Sequence, residues 1–220
     1  FMHFDLSVNL DRGRALFSDA DVRKALFHAV DRQAIADQLM QGTVIVANGP
    51  INPNSPYFNP SVPAYEYDPP KARRMLDEAG WLEGADGVRV RDGRRFSFVM
   101  LNRAGQADRI AVAQVIQAQL KSAGIEVTFE TLESAAWTNR WRNKQWEAVV
   151  SAWYLPADPS ITGQYLCDGP NNMTSMCDPA LDELLLLSDQ SLDFASRKQF
   201  LDAAQAHLAE TMKVLPLYYN

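Results

Sequence analysis

The chain has 220 residues, of which 47% are hydrophobic and 22% charged, and its formal net charge at pH 7 is −6. This length suits one large domain, which buries roughly 70% of the surface of its unfolded chain and needs no metal or disulfide to hold a core. The acidic balance argues against binding to nucleic acid and against a basic membrane-surface protein. No apolar run approaches the ~18 residues of a membrane-spanning helix.

The two ends of the sequence read as strands from their outermost residues. Apolar residues alternate along residues 1–10, which is the period of a strand, and residues 214–219 are again strand-like. Residues 1–5 lack the basic start and the apolar stretch of a signal peptide. Because natural termini usually fray, we expect this sequence to be a piece of a longer protein.

Helix signals follow the first strand. Residues 18–21 offer capping side chains before apolar residues at helical spacing, and a second short helix over 32–40 ends before Gly42. Residues 47–70 hold seven prolines among aromatic residues. So many prolines exclude a helix or a central strand, and the aromatic residues are too numerous for a flexible linker. We predict an extended, ordered arm packed over the surface.

The remainder of the chain alternates helices and strands. Asp68 caps a helix that ends near Ala79, and residues 84–94 predict a hairpin. The elements that follow are strand 95–101, helix 106–123, strand 125–131, helix 134–143, strand 148–153, helices 179–188 and 194–211, and a closing strand. This alternation predicts an α/β fold around a mixed, mostly parallel sheet flanked by helices.

The sequence shows no enzyme motif. It has no Gly-x-Ser-x-Gly elbow, no phosphate loop and no dinucleotide glycine fingerprint, so we predict no catalytic residue and no cofactor. His28 and His207 lie within predicted helices and are expected to be structural or surface residues. Cys167 and Cys177 flank a short polar loop with too few ligands for zinc. They are a disulfide in an oxidising compartment or free thiols in the cytosol, and we predict no metal site.

Aromatic residues are concentrated near one strand end. Four of the five tryptophans lie between residues 137 and 153, and we expect Trp141 and Trp146 to pack in the core. Trp153 ends a buried strand and opens a loop, and ligands gather at the carboxyl ends of parallel strands. The predicted binding residues of this loop are Trp153, Tyr154, Leu155, Pro156 and Asp158. The alternative is an interaction domain in which these aromatic residues are core.

A second strand end offers polar side chains. Asn102 and Arg103 directly follow strand 95–101. Arg103 is able to bind a carboxylate through two parallel hydrogen bonds, although a solvated arginine is the plainer interpretation. Asp158 has a plain interpretation as well, as a turn or helix cap before Pro159.

Several segments resemble a known family. Residues 18–32 read SDADVRKALFHAVDR and resemble the "D-x-x-V-R-x-A-L-x-x-A-I-D-R" helix of the family-5 extracellular solute-binding proteins, which include oligopeptide- and dipeptide-binding proteins. Further similarities follow in family order at 49–51, 67–81, 116–127, 178–185 and 215–217. Together they cover nearly the whole chain.

The resemblance implies a function as well as a fold. It implies that residues 1–220 form a single lobe with the periplasmic-binding-protein-like (type II) fold, the second of two lobes that close on a ligand, the first being absent from this sequence. The complete protein is then expected to be an exported, periplasmic monomer that captures peptides or similar small solutes for an ABC permease in the inner membrane. The resemblance also favours a disulfide between Cys167 and Cys177.

The sequence departs from the family pattern in the loop after Trp153. Family members commonly show "W-x-x-D" there, and the acid pairs with the α-amino group of the ligand. Here the third residue is Pro156, and the loop is one residue shorter up to Asp158. Either Asp158 binds the ammonium group, or the ligand is a non-peptide nutrient such as an oligosaccharide or opine, since burying an unpaired ammonium costs several kcal/mol. A hydrolase whose catalytic residues lie on the missing lobe is the alternative from another class.

Overall fold

The computed structural model describes residues 1–156 and 159–219. Its strands are β1 (Met2–Leu6), β2 (Ile45–Val46), β3 (Leu82–Glu83), β4 (Arg89–Arg91), β5 (Arg94–Arg95), β6 (Ser97–Arg103), β7 (Glu126–Leu132), β8 (Ala148–Ala152) and β9 (Leu215–Tyr219). Its helices are α1 (Asp11–Phe17), α2 (Ala20–His28), α3 (Arg32–Ala34, continued by a π-helical turn over Ile35–Leu39), α4 (Pro69–Glu78), α5 (Ala107–Ser122), α6 (Ser134–Arg142), α7 (Thr162–Tyr165), α8 (Pro179–Gln190) and α9 (Phe194–Thr211).

The main sheet is mixed, with the strand order β2-β9-β1-β8-β6-β7. Among the described strands, β6 pairs in parallel with β7 and β8, whereas β1 pairs antiparallel with both β8 and β9, and β2 antiparallel with β9. The predicted α/β fold with a mixed sheet flanked by helices is confirmed, but fewer of the pairs between the described strands are parallel than predicted. The crossovers β6–α5–β7 and β7–α6–β8 do give parallel strands. Two of the three antiparallel pairs of this sheet arise from β1, which lies between β8 and β9 and runs opposite to both.

Local sequence signals predicted most helices and strands to within a few residues of their observed bounds. Asp19, Asp68 and Asp178 each cap their helix with a side-chain oxygen, as α2, α4 and α8 begin. The predicted hairpin is part of a separate three-stranded sheet, β3-β4-β5, and Arg95 belongs to it rather than to the strand that follows. Helix α1 was missed because Gly13 lowers helix propensity. A Cβ there would lie 2.1 Å from the carbonyl oxygen of Ser7, the residue after β1, so the close approach of α1 to this backbone requires glycine.

Helices cover the sheet on both faces. The main core packs α2, α4 and α5 against one face, where Phe17, Phe96 and Phe98 are fully buried. A second cluster joins α7, α8 and α9 through residues such as Ile161, Leu181, Leu185, Leu201 and Leu208. The arm over residues 47–70 is ordered, as predicted, and buries Ile51, Tyr57 and Val62.

Buried arginines fasten this scaffold. The guanidinium group of Arg32 donates to the carbonyl oxygens of Ala47, Tyr65 and Pro216, which ties the proline-rich arm to β9. Arg32 also lies 4.1 Å from the centroid of the Phe27 ring. Burial lowers the pKa of Arg32 to about 10, so the group remains charged at neutral pH.

Candidate functional site

The carboxyl ends of four strands meet at one edge of the main sheet. β6, β7 and β8 run in the same direction, and β9 has that direction too, because both β8 and β9 are antiparallel to β1. β1 begins at this edge, since Met2 lies opposite Ala152 on one side and Tyr218 on the other. We call this end of the sheet, with the loop that follows β8, the carboxyl edge.

Arg103 and its neighbours form the polar part of the carboxyl edge. The Asn102 side chain is buried at the end of β6, and half-buried Arg103 donates a hydrogen bond to the Ser134 hydroxyl at the start of α6. The Arg103 guanidinium carbon lies 5.7 Å from the Trp137 ring centroid. Burial lowers the pKa of Arg109 in the first turn of α5, and the positive charge of Arg103 lowers it further. The positive charges of Arg103 and Arg109 therefore interact at this edge.

Rings form a continuous row along the carboxyl edge. Successive centroids are 5.7 Å apart for Trp137 and Trp141, 6.1 Å for Trp141 and Trp153, and 6.3 Å for Trp153 and His3. The row continues through Phe1, 4.8 Å from His3, to Tyr219 at 6.2 Å. These spacings are those of interacting aromatic pairs. We call these six residues the aromatic row.

The residues of the loop after β8 differ in their exposure to solvent. Trp153 is half-buried, Tyr154 is 92% exposed and Pro156 is exposed, whereas Leu155 packs on the second hydrophobic cluster. Asp158, which we predicted to bind the ligand, lies outside the described residues. Beyond it, the Pro159 carbonyl accepts a hydrogen bond from Arg197 at 3.2 Å, which fastens the loop to α9.

The structure brings together the two strand ends that the sequence predicted separately. Asn102 and Arg103 share the carboxyl edge with Trp153, and Trp137 and Trp141 connect them. Trp146 is buried, as predicted, while Trp141 is only partly buried and contacts Trp153. Sequence reasoning missed His3 and Arg109. Arg109 follows strand end 103 closely enough to have been considered, but nothing local marks His3.

The remaining chemical groups have structural partners. His28 Nδ1 lies 2.7 Å from the Glu66 carbonyl oxygen, and His207 Nε2 lies 2.6 Å from the Asp178 carboxylate. Cys167 and Cys177 form a disulfide. Within the described ranges, no cluster of three or more His, Cys, Asp or Glu residues is suited to a metal ion. No helix of those ranges is long and apolar enough to cross a membrane.

Comparison with known proteins gives consistent relatives. The profile of the family described as "Bacterial extracellular solute-binding proteins, family 5 Middle" matches residues 2–175. The chain is 38% identical over 149 residues to the oligopeptide-binding protein AppA of Bacillus subtilis (strain 168), an alignment that covers 66% of this chain and 27% of that protein.

Solved structures show the same fold. The structure of AppA from Bacillus subtilis in complex with a nonapeptide matches all of this chain with a TM-score of 0.92 and 29% identity, over 44% of its own length. An oligopeptide-binding protein from Thermus thermophilus, complexed with a pentapeptide, matches all of it with a TM-score of 0.90 and 27% identity, over 41% of its length.

Two conclusions follow from these matches. The chain spans less than half the length of the relatives it matches, and its fold is that of a type II periplasmic binding protein, as the resemblance implied. Because the family profile covers most of the sequence, this chain belongs to the bacterial extracellular solute-binding proteins of family 5.

Proposed function

We propose that this chain is one lobe of a two-lobed solute-binding protein that captures peptides or similar small solutes for an ABC importer. The observation that carries the proposal is the carboxyl edge, where the row of rings from Trp137 to Trp153 connects the guanidinium group of Arg103 to the loop that holds exposed Tyr154. Apolar rings beside a few fixed polar groups are typical of a ligand site. The nonapeptide and pentapeptide held by the two matched structures support a peptide as the ligand.

The edge supplies three kinds of contact to such a ligand. The faces of Trp153 and Tyr154 bind apolar side chains. Backbone groups of the loop after β8 hydrogen-bond an extended chain, which gives affinity with little side-chain selectivity. Arg103, with Arg109 beside it, attracts a carboxylate, and Asn102 offers an amide. Leu155 and Pro156 shape the loop, and Asp158 is proposed to bind an α-amino group.

The protein acts by capture and release rather than by catalysis. The rest of the complete protein supplies the first lobe, and closure of the two lobes excludes water from the ligand. We propose that the complete protein is exported to the periplasm, works as a monomer without a cofactor, and delivers its ligand to a permease. The disulfide between Cys167 and Cys177 agrees with an oxidising compartment.

A non-peptide nutrient is the second candidate ligand. The observation that favours it is Pro156, which is exposed in the loop and has no carboxylate to offer an ammonium group. Asp158→Asn separates the two candidates. A receptor that pairs Asp158 with an α-amino group loses more than about 1 kcal/mol of binding free energy, whereas a receptor for a neutral solute is nearly unaffected.

A native mass spectrum of the complete protein, purified from the periplasm without denaturation, identifies the ligand class directly. Bound masses spread over many amino-acid compositions support a peptide receptor. One discrete non-peptide mass contradicts it and supports the specialised nutrient receptor. Turnover of a bound peptide or glycoside would contradict capture without catalysis.

Substitution of Trp153 tests the position of the site. Trp153→Ala in the complete protein is expected to weaken binding of the ligand found by mass spectrometry by about tenfold or more. The control is Leu82→Ala, which also removes an exposed apolar side chain but lies in β3, in the separate three-stranded sheet. Equal affinity of the two variants would place the ligand elsewhere.

A further inference from the structure

The two halves of the Cys167–Cys177 disulfide differ in their surroundings. Cys177 is exposed and lines a cavity of about 260 Å³ together with Arg23 and Lys213. Cys167 is half-buried, and its Sγ accepts a hydrogen bond from the Asp178 backbone N–H at 3.1 Å. One cysteine therefore faces an open cavity, whereas the sulfur of the other has a fixed hydrogen-bond donor.

This asymmetry favours one direction of thiol–disulfide exchange. An entering thiolate reaches Cys177 Sγ from the cavity, and the electron pair of the broken S–S bond leaves on Cys167 Sγ. The Asp178 N–H stabilises the negative charge that develops there, at the N-terminus of the 12-residue helix α8. Exchange leaves a mixed disulfide on Cys177 and a Cys167 thiolate, which takes up the proton that the entering thiol lost.

Charged groups of both signs surround Cys167. The Asp182 carboxylate accepts a hydrogen bond from the Cys167 backbone N–H at 3.0 Å, and its negative charge disfavours a thiolate. The Lys213 ammonium group interacts with the charges of Asp178 and Asp182. His207 Nε2 lies 2.6 Å from the Asp178 carboxylate. Both carboxylates therefore have partners, and the Asp178 N–H remains the group that favours charge on Cys167.

The loop that this disulfide closes contains a strained residue. Ser175 has a φ of 60°, in the left-handed region that disfavours residues other than glycine, and its buried hydroxyl has no hydrogen-bond partner among the described residues. The Asn172 side chain holds the loop from inside through the carbonyl oxygens of Leu166 and Met176. Opening the disulfide is therefore expected to loosen the loop rather than to unfold it.

Met173 connects this loop to the carboxyl edge. It lies between the two cysteines and packs against the hydrophobic cluster that holds Trp137 and Trp146. Trp137 begins the aromatic row, and its ring centroid lies 5.7 Å from the guanidinium carbon of Arg103. A loosened loop thus removes a neighbour from the tryptophans that support the edge.

We propose that Cys177 is a thiol-exchange site, at which a small thiol opens the disulfide and releases Met173 from the tryptophans of the carboxyl edge. Exposed disulfides are the labile and regulatory ones, whereas most structural disulfides of secreted proteins resist reduction by glutathione. The effect on ligand affinity rests on the proposed function, whereas the exchange at Cys177 does not.

Mass spectrometry of the complete protein after treatment with millimolar glutathione tests the exchange. N-ethylmaleimide stops the reaction and marks the released thiol, and cleavage before Asp168 separates Cys167 from Cys177. Glutathione on Cys177 with maleimide on Cys167 is expected to exceed the reverse pattern about tenfold. Equal or reversed labelling would overturn the proposal, and so would the absence of an adduct in the folded protein when the urea-unfolded protein reacts.

Hydrogen exchange tests the role of Met173. In the wild type, reduction and alkylation of the disulfide should raise amide exchange in α6 by about threefold or more and leave β4 and β5 unchanged. Met173→Ala should show the faster exchange with the disulfide intact, and reduction should add nothing in α6. The control is Met75→Ala, which removes a partly buried methionine side chain of α4 and should keep the wild-type response. A response that survives in folded Met173→Ala, or that is absent from the wild type, would overturn the proposal.

Titration calorimetry with penta-alanine tests the consequence for binding. The wild type with an intact disulfide is expected to bind about threefold or more tightly than the reduced, alkylated protein. The ratio falls to about one in Met173→Ala and stays in Met75→Ala. If penta-alanine binds both forms of the wild type equally, the link between the disulfide and the carboxyl edge is contradicted. If it binds neither form, the peptide function is contradicted, and the labelling and hydrogen-exchange experiments alone decide whether Cys177 is a thiol-exchange site.

Discussion

Buried polar groups differ in their hydrogen bonding between the interior scaffold and the carboxyl edge. In the scaffold, Arg23 donates to the carbonyl oxygens of Phe17, Ser18, Thr211 and Met212, so all its sides are hydrogen-bonded. Arg32 and Arg89 are satisfied in the same way by backbone carbonyls from distant segments.

At the carboxyl edge, by contrast, buried ring nitrogens of His3, Trp137 and Trp141 have no partner among the described residues. Within the described residues, unpartnered buried polar atoms also occur elsewhere, for example in Trp81, His28, Thr162 and Gln164, whereas the three ring nitrogens of the edge lie in one row of contacting rings. Unmet hydrogen bonds cost stability and are rare in native cores. The comparison separates a scaffold whose buried arginines are hydrogen-bonded to backbone carbonyl groups from an edge where three buried ring nitrogens share one row of rings.

The largest expected effect comes from breaking the scaffold at Arg23. Arg23→Met is expected to lower the free energy of unfolding by about 3–5 kcal/mol, because several buried carbonyl groups lose their donor at once. Urea unfolding followed by circular dichroism measures the change. Arg14→Met is the control, since Arg14 is largely exposed and its partners, the Asp11 carboxylate and the Asn9 carbonyl oxygen, lie at the surface, so its loss is expected to be below about 1 kcal/mol. Equal losses in the two variants would contradict the scaffold role of Arg23.

Loss of the disulfide is expected to have the next largest effect. Replacing Cys167 and Cys177 with serine opens a loop whose ends are separated by 10 residues. This is expected to lower the free energy of unfolding by about 2–3 kcal/mol through the entropy of the unfolded chain. The loop has a second fastening, because buried Asn172 donates to the carbonyl oxygens of Leu166 and Met176.

Treatment with a reductant distinguishes the contribution of the disulfide from that of the Asn172 hydrogen bonds. Dithiothreitol should lower the stability of the wild type and leave the double serine variant unchanged. A loss below about 1 kcal/mol in that variant would mean that hydrogen bonds such as those of Asn172 hold the loop without the disulfide.

The same contrast explains what the sequence was able to predict. Helix starts at Asp19, Asp68 and Asp178 depend on residues two or three positions away, and all three were found. The strand ends near Arg103 and Trp153 were predicted from alternation and from the crossover helices between them, and they were found to within two residues. Asn102 and Arg103, predicted to follow the strand, are the last residues of β6.

The rest depends on pairing across most of the chain. Nothing near β1 specifies that Met2 lies opposite Ala152 and Tyr218, and this register alone brings His3 to Trp153. The direction of β1 could not be predicted from the residues near it either, so its antiparallel pairing with β8 and β9 was not expected. Arg32 shows the same limit, since its acceptors Ala47, Tyr65 and Pro216 are spread over more than two thirds of the sequence.

A smaller effect on the free energy of unfolding is expected from the contact between Asp178 and His207. Partial burial alone would raise the pKa of Asp178, but the hydrogen bond and the charge of His207 outweigh it, and the pKa is lowered. A lowered carboxylate pKa stabilises the folded state above the unfolded pKa, and this contribution is lost as the pH falls through the folded value. Asp178→Asn keeps the helix cap but not the charge, so it should cost about 1 kcal/mol at pH 7.

Acid unfolding of four proteins checks this prediction. The difference between the wild type and Asp178→Asn should shrink as the pH falls through the lowered pKa of the folded wild-type carboxylate. His207→Gln should remove the same contact, and the double variant should be no less stable than the more affected single variant. Additive losses would show that Asp178 and His207 act separately.

The smallest effect on stability is expected at the edge itself. Tyr154 is 92% exposed, so Tyr154→Ala should change the free energy of unfolding by less than about 0.5 kcal/mol, as surface substitutions usually do. The same substitution should weaken binding in the complete protein, because an exposed ring beside Trp153 has a ligand rather than the core to contact. Urea unfolding and ligand titration on one preparation measure both. A loss of stability without a loss of affinity would show that Tyr154 supports the fold rather than ligand binding. The distinction between scaffold and edge would then be contradicted.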